Sequence, residues 1–168
     1  MSEKGLSGIT VAAFESRMAV EMTRLIERYG GRPSVAPALR ELPIQDNPTA
    51  LRFGVRLIEG QVDVLVLMTG VGTTALFDIL KARHPMSSIM VGVKQTAIVA
   101  RGPKPVAALK ALGITPTLIV PEPNTWVDVV STLDEYRPVK GLRVAVQEYG
   151  NSNPEFLEAL RVRGADVF

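Results

Sequence analysis

Three stretches of the chain set polar or cationic residues beside glycines, each between an apolar run and an amphipathic one. In "MTGVGTT", Thr69 offers a hydroxyl, Gly70 and Gly72 permit close backbone approach, and Val71 adds a main-chain N–H. If a helix starts here, its first N–H groups face an incoming anion with a partial positive charge. The stretch lacks the Lys-Ser/Thr pair of a Walker loop and does not match G-x-G-x-x-G. It is therefore either an anion-holding turn of another kind or a purely structural one. In "ARGPKP", Arg101 and Lys104 flank Gly102 and put cations where acids usually sit, so this is an anion site or a solvated face. In "QEYGNSNPE", Tyr149, Gly150, Asn151 and Ser152 can donate hydrogen bonds, and Asn153 before Pro154 reads as a helix cap.

Weaker candidates complete the set. Ser16 and Arg17 precede an amphipathic stretch, where Arg17 faces either a ligand or solvent. In "PEPNTW", Asn124 reads as an N-cap and Trp126 as a packing residue. His84, before Pro85, reads as a helix C-terminal cap. The chemistry these residues allow is anion binding. Catalytic groups of the common kinds are missing from the loops: no paired carboxylates and no nucleophile beside a base. The chain has no cysteine, which excludes disulfides, thiolate metal sites and cysteine nucleophiles. A single histidine argues against a histidine metal site or a Ser–His–Asp triad.

The elements that must position these residues alternate in the α/β manner. Strands are expected at "ITVAAF", "RPSVAPAL", "VDVLVLM", "TAIVA", "PTLIV", "LRVAVQ" and "ADVF". Helices are expected at "RMAVEMTRLIERYG", 48–59, "TTALFDILKAR", "KPVAALKALG", "NTWVDVVSTLDEY" and "PEFLEALRVRG". Residues 86–94 read as loop with a short helical turn. "AALKALGITPTLIV" and "EALRVRGADVF" share a helix that stops on glycine before a strand, and "RLIERYGGRPSVAP" is a looser copy. From Val62 onward five strands alternate with four helices, enough for a doubly wound parallel five-stranded sheet. Ligands of such sheets lie beyond the carboxyl ends of the strands, where the polar loops fall. Residues 1–40 add a strand–helix–strand that one such sheet does not need. The expected organisation is that segment, a proline-marked linker at 41–47, and an α/β domain at 48–168.

Composition fits a folded domain: 168 residues, 46% hydrophobic, net charge +2. No apolar run suits a membrane span and the start shows no signal-peptide core, so a cytoplasmic location is expected. No Lys/Arg cluster marks a nucleic-acid surface.

The runs "DVLVLMTGVG", "IVARGPKPVAALKALGITPTLIVPEPNTWVDVVSTL" and "GLRVAVQEYGNSNPEFLEALRVRGADV", with the opening "SRMAVEMTRLIERYGG", resemble the uroporphyrinogen-III synthase family. The resemblance covers nearly the whole chain; order and spacing carry it, the single motifs being degenerate. It implies two flavodoxin-like α/β domains, the chain starting one, crossing to build the other, and returning. This sequence would then be roughly the N-terminal two thirds of a member. The implied activity is cyclisation of hydroxymethylbilane with inversion of ring D and loss of water, in tetrapyrrole biosynthesis. No cofactor or metal is implied. The substrate, a linear tetrapyrrole bearing eight carboxylates, would lie in the cleft between the domains, held by backbone amides and polar side chains.

Residue by residue, Thr69 and Gly70 fall on the family's Thr-Ser or Thr-Gly turn, Gly102 on the glycine after the next strand, and Gly150 on the later loop glycine. Pro105 stands where a threonine is common, so a hydroxyl there is lost. A tyrosine many members use would fall beyond Phe168. Arg17 matches a basic position in some members only. Full-length members are usually monomeric; apolar surface on a lone strand–helix would favour self-association. A non-catalytic flavodoxin-like or periplasmic-type binding module fits the same loops, the missing signal peptide speaking against the periplasmic kind. A receiver-like domain lacks its acidic cluster.

Overall fold

A computed structural model describes residues 5–16, 18–37, 47–148 and 150–168. The chain divides into two compact units, Met1–Pro43 and Ile44–Phe168. The expected linker lies, apart from Asn47, outside the described residues.

The first unit contains β1 (Thr10–Ala13), α1 (Ala19–Arg28) and β2 (Arg32–Val35). The strands pair in parallel, Val11 opposite Pro33. Pro33 cannot donate to a ladder, which suits a two-stranded sheet with open edges. Of the helical apolar series read from the sequence, Ile26 alone is fully buried, while Met18, Leu25 and Tyr29 remain exposed within the unit.

The second unit runs α2 (Pro48–Ile58), β3 (Val64–Leu67), α3 (Gly70–Arg83), α4 (Met86–Gln95), β4 (Ala97–Ala100), α5 (Pro103–Ala111), β5 (Leu118–Ile119), α6 (Trp126–Tyr136), β6 (Arg143–Gln147), α7 (Pro154–Val162) and β7 (Asp166–Val167). Its five strands form one all-parallel sheet in the order β5-β4-β3-β6-β7. The expected doubly wound sheet is present. The flavodoxin likeness holds for the layers but not for the order, because the first strand of the unit is central and the winding reverses between β3 and β6.

Strand alternation builds two cores. Leu65, Leu67, Ile98, Ala100 and Ala145 face α2–α5, meeting Phe53, Leu57, Phe77, Leu80, Ile89 and Leu109. Val64, Val66, Val99 and Val144 face α6 and α7, meeting Val129, Leu133, Phe156 and Leu160. With both faces covered, β3 is apolar throughout, as a central parallel strand should be.

Caps fix where the helices begin. Asn47 accepts from the N–H groups of Thr49 and Ala50, with Pro48 at the first helical position. Asn153 caps α7 in the same manner through Phe156 N–H, at 3.0 Å. The three sequence echoes prove to be one device. Gly30, Gly113 and Gly164 all have positive φ. The next N–H in each case (Gly31, Ile114, Ala165) reaches back to a buried residue's carbonyl on Ile26, Leu109 or Leu160.

Three local expectations are corrected. Residues 86–95 form a helix of ten residues, because Ile89 and Val93 lie on one face and join the core, flanked by the half-buried Met86 and Met90. Gly92 sits there against the Leu57 carbonyl, where a Cβ would collide, so α4 crosses α2 closely. Asn124 is not the cap of α6. Thr125 is, through a capping box in which the Thr125 N–H donates to the Asp128 carboxylate at 2.7 Å. Helix α3 begins at Gly70 rather than Thr73. Among the described residues no helix is long and apolar enough to cross a membrane.

Candidate functional site at the carboxyl edge of the sheet

Leu67, Ala100 and Gln147 stand side by side at the ends of β3, β4 and β6. The chain beyond each strand end therefore emerges along one edge. Thr69 and Gln147 flank the point where the winding reverses.

Thr69 is extended and caps α3, its hydroxyl oxygen accepting the Gly72 N–H at 3.0 Å. "MTGVGTT" is thus a cap and a helical first turn rather than a free loop. The N–H groups of Gly70 and Val71, the first two helical residues, have no intrahelical acceptor. Both glycines are also demanded by packing. A Cβ on Gly70 would lie 2.7 Å from the Lys104 carbonyl oxygen, so α3 and α5 start against one another. A Cβ on Gly72 would collide with the side-chain amide of Gln147.

Helix α5 brings a second N-terminus to the same place, capped by the buried Gly102. Its first three residues are Pro103, Lys104 and Pro105, so two of the three first-turn donors are absent and only the Lys104 N–H is offered. Side-chain charge compensates. Arg101 is half-buried, Lys104 is exposed, and among the described residues neither side chain has a hydrogen-bond or ion-pair partner.

Asn124 closes the neighbouring gap. It takes positive φ, and the acceptors around its amide orient Nδ2 toward the carbonyls of Val120 at 2.9 Å and Arg101 at 2.8 Å. It pins the ends of β4 and β5 together, and its amide fills the space where a Cβ on Gly102 would fall. Trp126 packs on Phe156, ring centres 6.2 Å apart, as a core residue.

After β6, Gly150 and Asn151 are exposed. The Glu148 carboxylate accepts from Ser152 Oγ and Asn153 N–H, both at 2.7 Å, so its charge is engaged by its own loop. Tyr149 and Arg17 lie outside the described residues. The structure thus brings Thr69, Gly70, Val71, Gly72, Arg101, Gly102 and Lys104 together, with Gly150 and Asn151 on the adjoining strand end.

Sequence reasoning passed over Gln147. It is 8% exposed, its Oε1 accepts the Thr69 N–H at a long 3.4 Å, and among the described residues its Nε2 has no partner. The available signal was a lone polar residue at the end of an apolar alternating strand.

At the opposite edge, Asp63 receives the Arg143 side chain at 2.9 and 2.8 Å and its backbone N–H at 2.7 Å. The Arg143 hydrogen bonds hold the Asp63 carboxyl down at about 2. That clamp ties β3 to β6 far from the polar loops.

In doubly wound α/β units ligands bind beyond the carboxyl ends of the strands where the winding reverses, and the open donors and cations of this unit lie at that place. The family model described as "Uroporphyrinogen-III synthase HemD" matches residues 20–168, and the chain belongs to that family. A Bacillus subtilis (strain 168) protein named "Uncharacterized protein YjjA" is 30% identical over 167 residues, covering 98% of this chain and 60% of that protein. A mutant uroporphyrinogen III synthase of the extremely thermophilic bacterium Thermus thermophilus aligns with TM-score 0.70 at 26% identity, over 95% of this chain and 60% of the other. The wild-type Thermus enzyme gives 0.63 at 27% identity, over 95% and 59%. The chain spans about 60% of the length of these relatives.

Proposed function

We propose that the chain is the larger part of a uroporphyrinogen-III synthase, with residues 1–40 contributing to one domain and 48–168 forming the other. The reaction is cyclisation of hydroxymethylbilane with inversion of ring D and loss of water. The observation that carries this reading is the concentration of unused donors and positive charge at one strand edge. Among the described residues, the Gly70 and Val71 N–H groups, the Lys104 N–H and the Arg101 and Lys104 side chains all lack acceptors.

Carboxylates spread along a linear tetrapyrrole need several modest contacts rather than one tight phosphate cradle, which suits this distributed set. Thr69 and Gly72 shape the first turn, Gly102 seats α5, and Gly150, Asn151, Tyr149 and Arg17 are assigned further contacts. The protein's task is to hold the chain's ends in register and to offset charge as the hydroxyl leaves as water. The substrate is a small molecule; neither nucleic acid nor membrane has a part in it, and the work is done in the cytoplasm.

The test is an isomer assay. Hydroxymethylbilane, generated in a coupled reaction, is supplied to this chain and to the longest product of its gene, and the porphyrins are separated after oxidation. Type III product above the spontaneous background supports the reading. Type I alone from both proteins overturns it; tight retention of uroporphyrin III in that case assigns a non-catalytic binding module.

A further inference from the structure

We propose that Gln147 is a substrate-binding residue, its side-chain amide donating to a carboxylate docked at the N-terminus of α3. This rests on the reading above that the edge receives a carboxylated tetrapyrrole. Gln147 ends β6 and points to the same side as Ala145, into the layer of α2–α5, where the neighbouring strand residues are all apolar. It is more than nine-tenths buried, yet among the described residues Nε2 has no acceptor. Thr69 N–H fixes the orientation of the amide: exchanging oxygen and nitrogen would set donor against donor.

A leucine or methionine would remove the unpaired Nε2 at the loss of one long bond from the Thr69 N–H, and an unpaired buried donor weakens a fold. The Thr69 bond accounts for the amide oxygen and leaves the Nε2 donor unexplained; a ligand acceptor accounts for it. The amide lies against Gly72 on the first turn of α3, the turn whose opening N–H groups on Gly70 and Val71 have no intrahelical acceptor. One long bond restrains it, and the terminal torsion of glutamine is soft. A carboxylate oxygen arriving at the Gly70–Val71 pair supplies the acceptor that Nε2 lacks. Gly72 follows from the same requirement, since any side chain there would displace the amide.

The test uses uroporphyrin III as probe, titrated by fluorescence into the longest product of the gene, with melting temperature measured alongside. Gln147→Met conserves volume and removes the donor; Gln147→Glu conserves shape and replaces the donor by negative charge. The expected result is about tenfold weaker binding for Gln147→Met, with little change in melting temperature because only the long Thr69 bond is lost, and weaker binding still for Gln147→Glu. A structural role alone would lower the melting temperature and leave affinity intact. Affinity within about twofold of wild type in both variants overturns the proposal. Failure of the wild-type protein to bind the probe overturns the functional reading first, and is seen before any variant is compared.

Discussion

At the scale of single residues, the site divides side chains that build the edge from side chains that face outward from it. Thr69 builds: its oxygen serves the Gly72 N–H, so Thr69→Ala should cost about 1 kcal/mol of stability, as loss of a cap does. Thr69→Ser should retain most of it, and chemical denaturation of the two variants measures the difference. Arg101 and Lys104 face outward. Having no partner among the described residues, they can be neutralised with little structural effect. Arg101→Gln with Lys104→Gln should leave the melting temperature nearly unchanged. The pair should weaken uroporphyrin III binding and flatten its salt dependence, which titration at two ionic strengths reads out.

Legibility at this scale followed how local the interaction is. Asn47, Asn153 and the chain-reversing glycines act within a few residues of themselves and could be read from the sequence. Asn124 and Gln147 act across strands, on Arg101 and Thr69, and nothing in their own segments names those partners.

Elements come next. The βα alternation, the doubly wound sheet and the polar strand ends were all readable, since apolar runs and glycine stops depend on local periodicity. The strand order was not, because it depends on which edge each helix returns to. Helix α4 escaped notice because Ser87, Ser88 and Gly92 resemble loop composition, whereas its burial comes from α2 and α3. Gly70 and Gly72 were read as letting an anion approach the backbone closely; the structure shows neighbouring protein, Lys104 and Gln147, packed against them. Two glycine variants separate the site from the scaffold. Gly92→Ala forces a methyl group onto the Leu57 carbonyl and should destabilise by about 1–3 kcal/mol while leaving probe affinity unchanged. Gly70→Ala pushes α3 from α5 at the edge itself and should impair both. Denaturation and probe titration on each variant make the comparison.

Across the whole molecule, the two edges of the large sheet have different tasks. The amino edge is clamped by Asp63 and Arg143, while the carboxyl edge keeps its donors open. The clamp sets an acid sensitivity. Arg143 depresses the Asp63 carboxyl from 3.8 to about 2, so its stabilisation is fully present above about pH 4 and is lost as pH falls toward 2. Allowing for partial solvent exposure, Asp63→Asn should cost about 1 kcal/mol at neutral pH and remove that share of the acid dependence. Thermal melts from pH 6 to about pH 2 would show it, the variant and wild type converging at the acid end. Probe binding at neutral pH should be untouched.

The division of labour between edges can be observed directly by mapping backbone amide NMR shifts as uroporphyrin III is added. The largest changes should fall on Thr69–Gly72, Arg101, Gly102, Lys104, Gly150 and Asn151, with Asp63 and Arg143 silent. Shifts centred on the amino edge, or spread evenly over the sheet, would contradict the assignment of the carboxyl edge as the tetrapyrrole-binding wall.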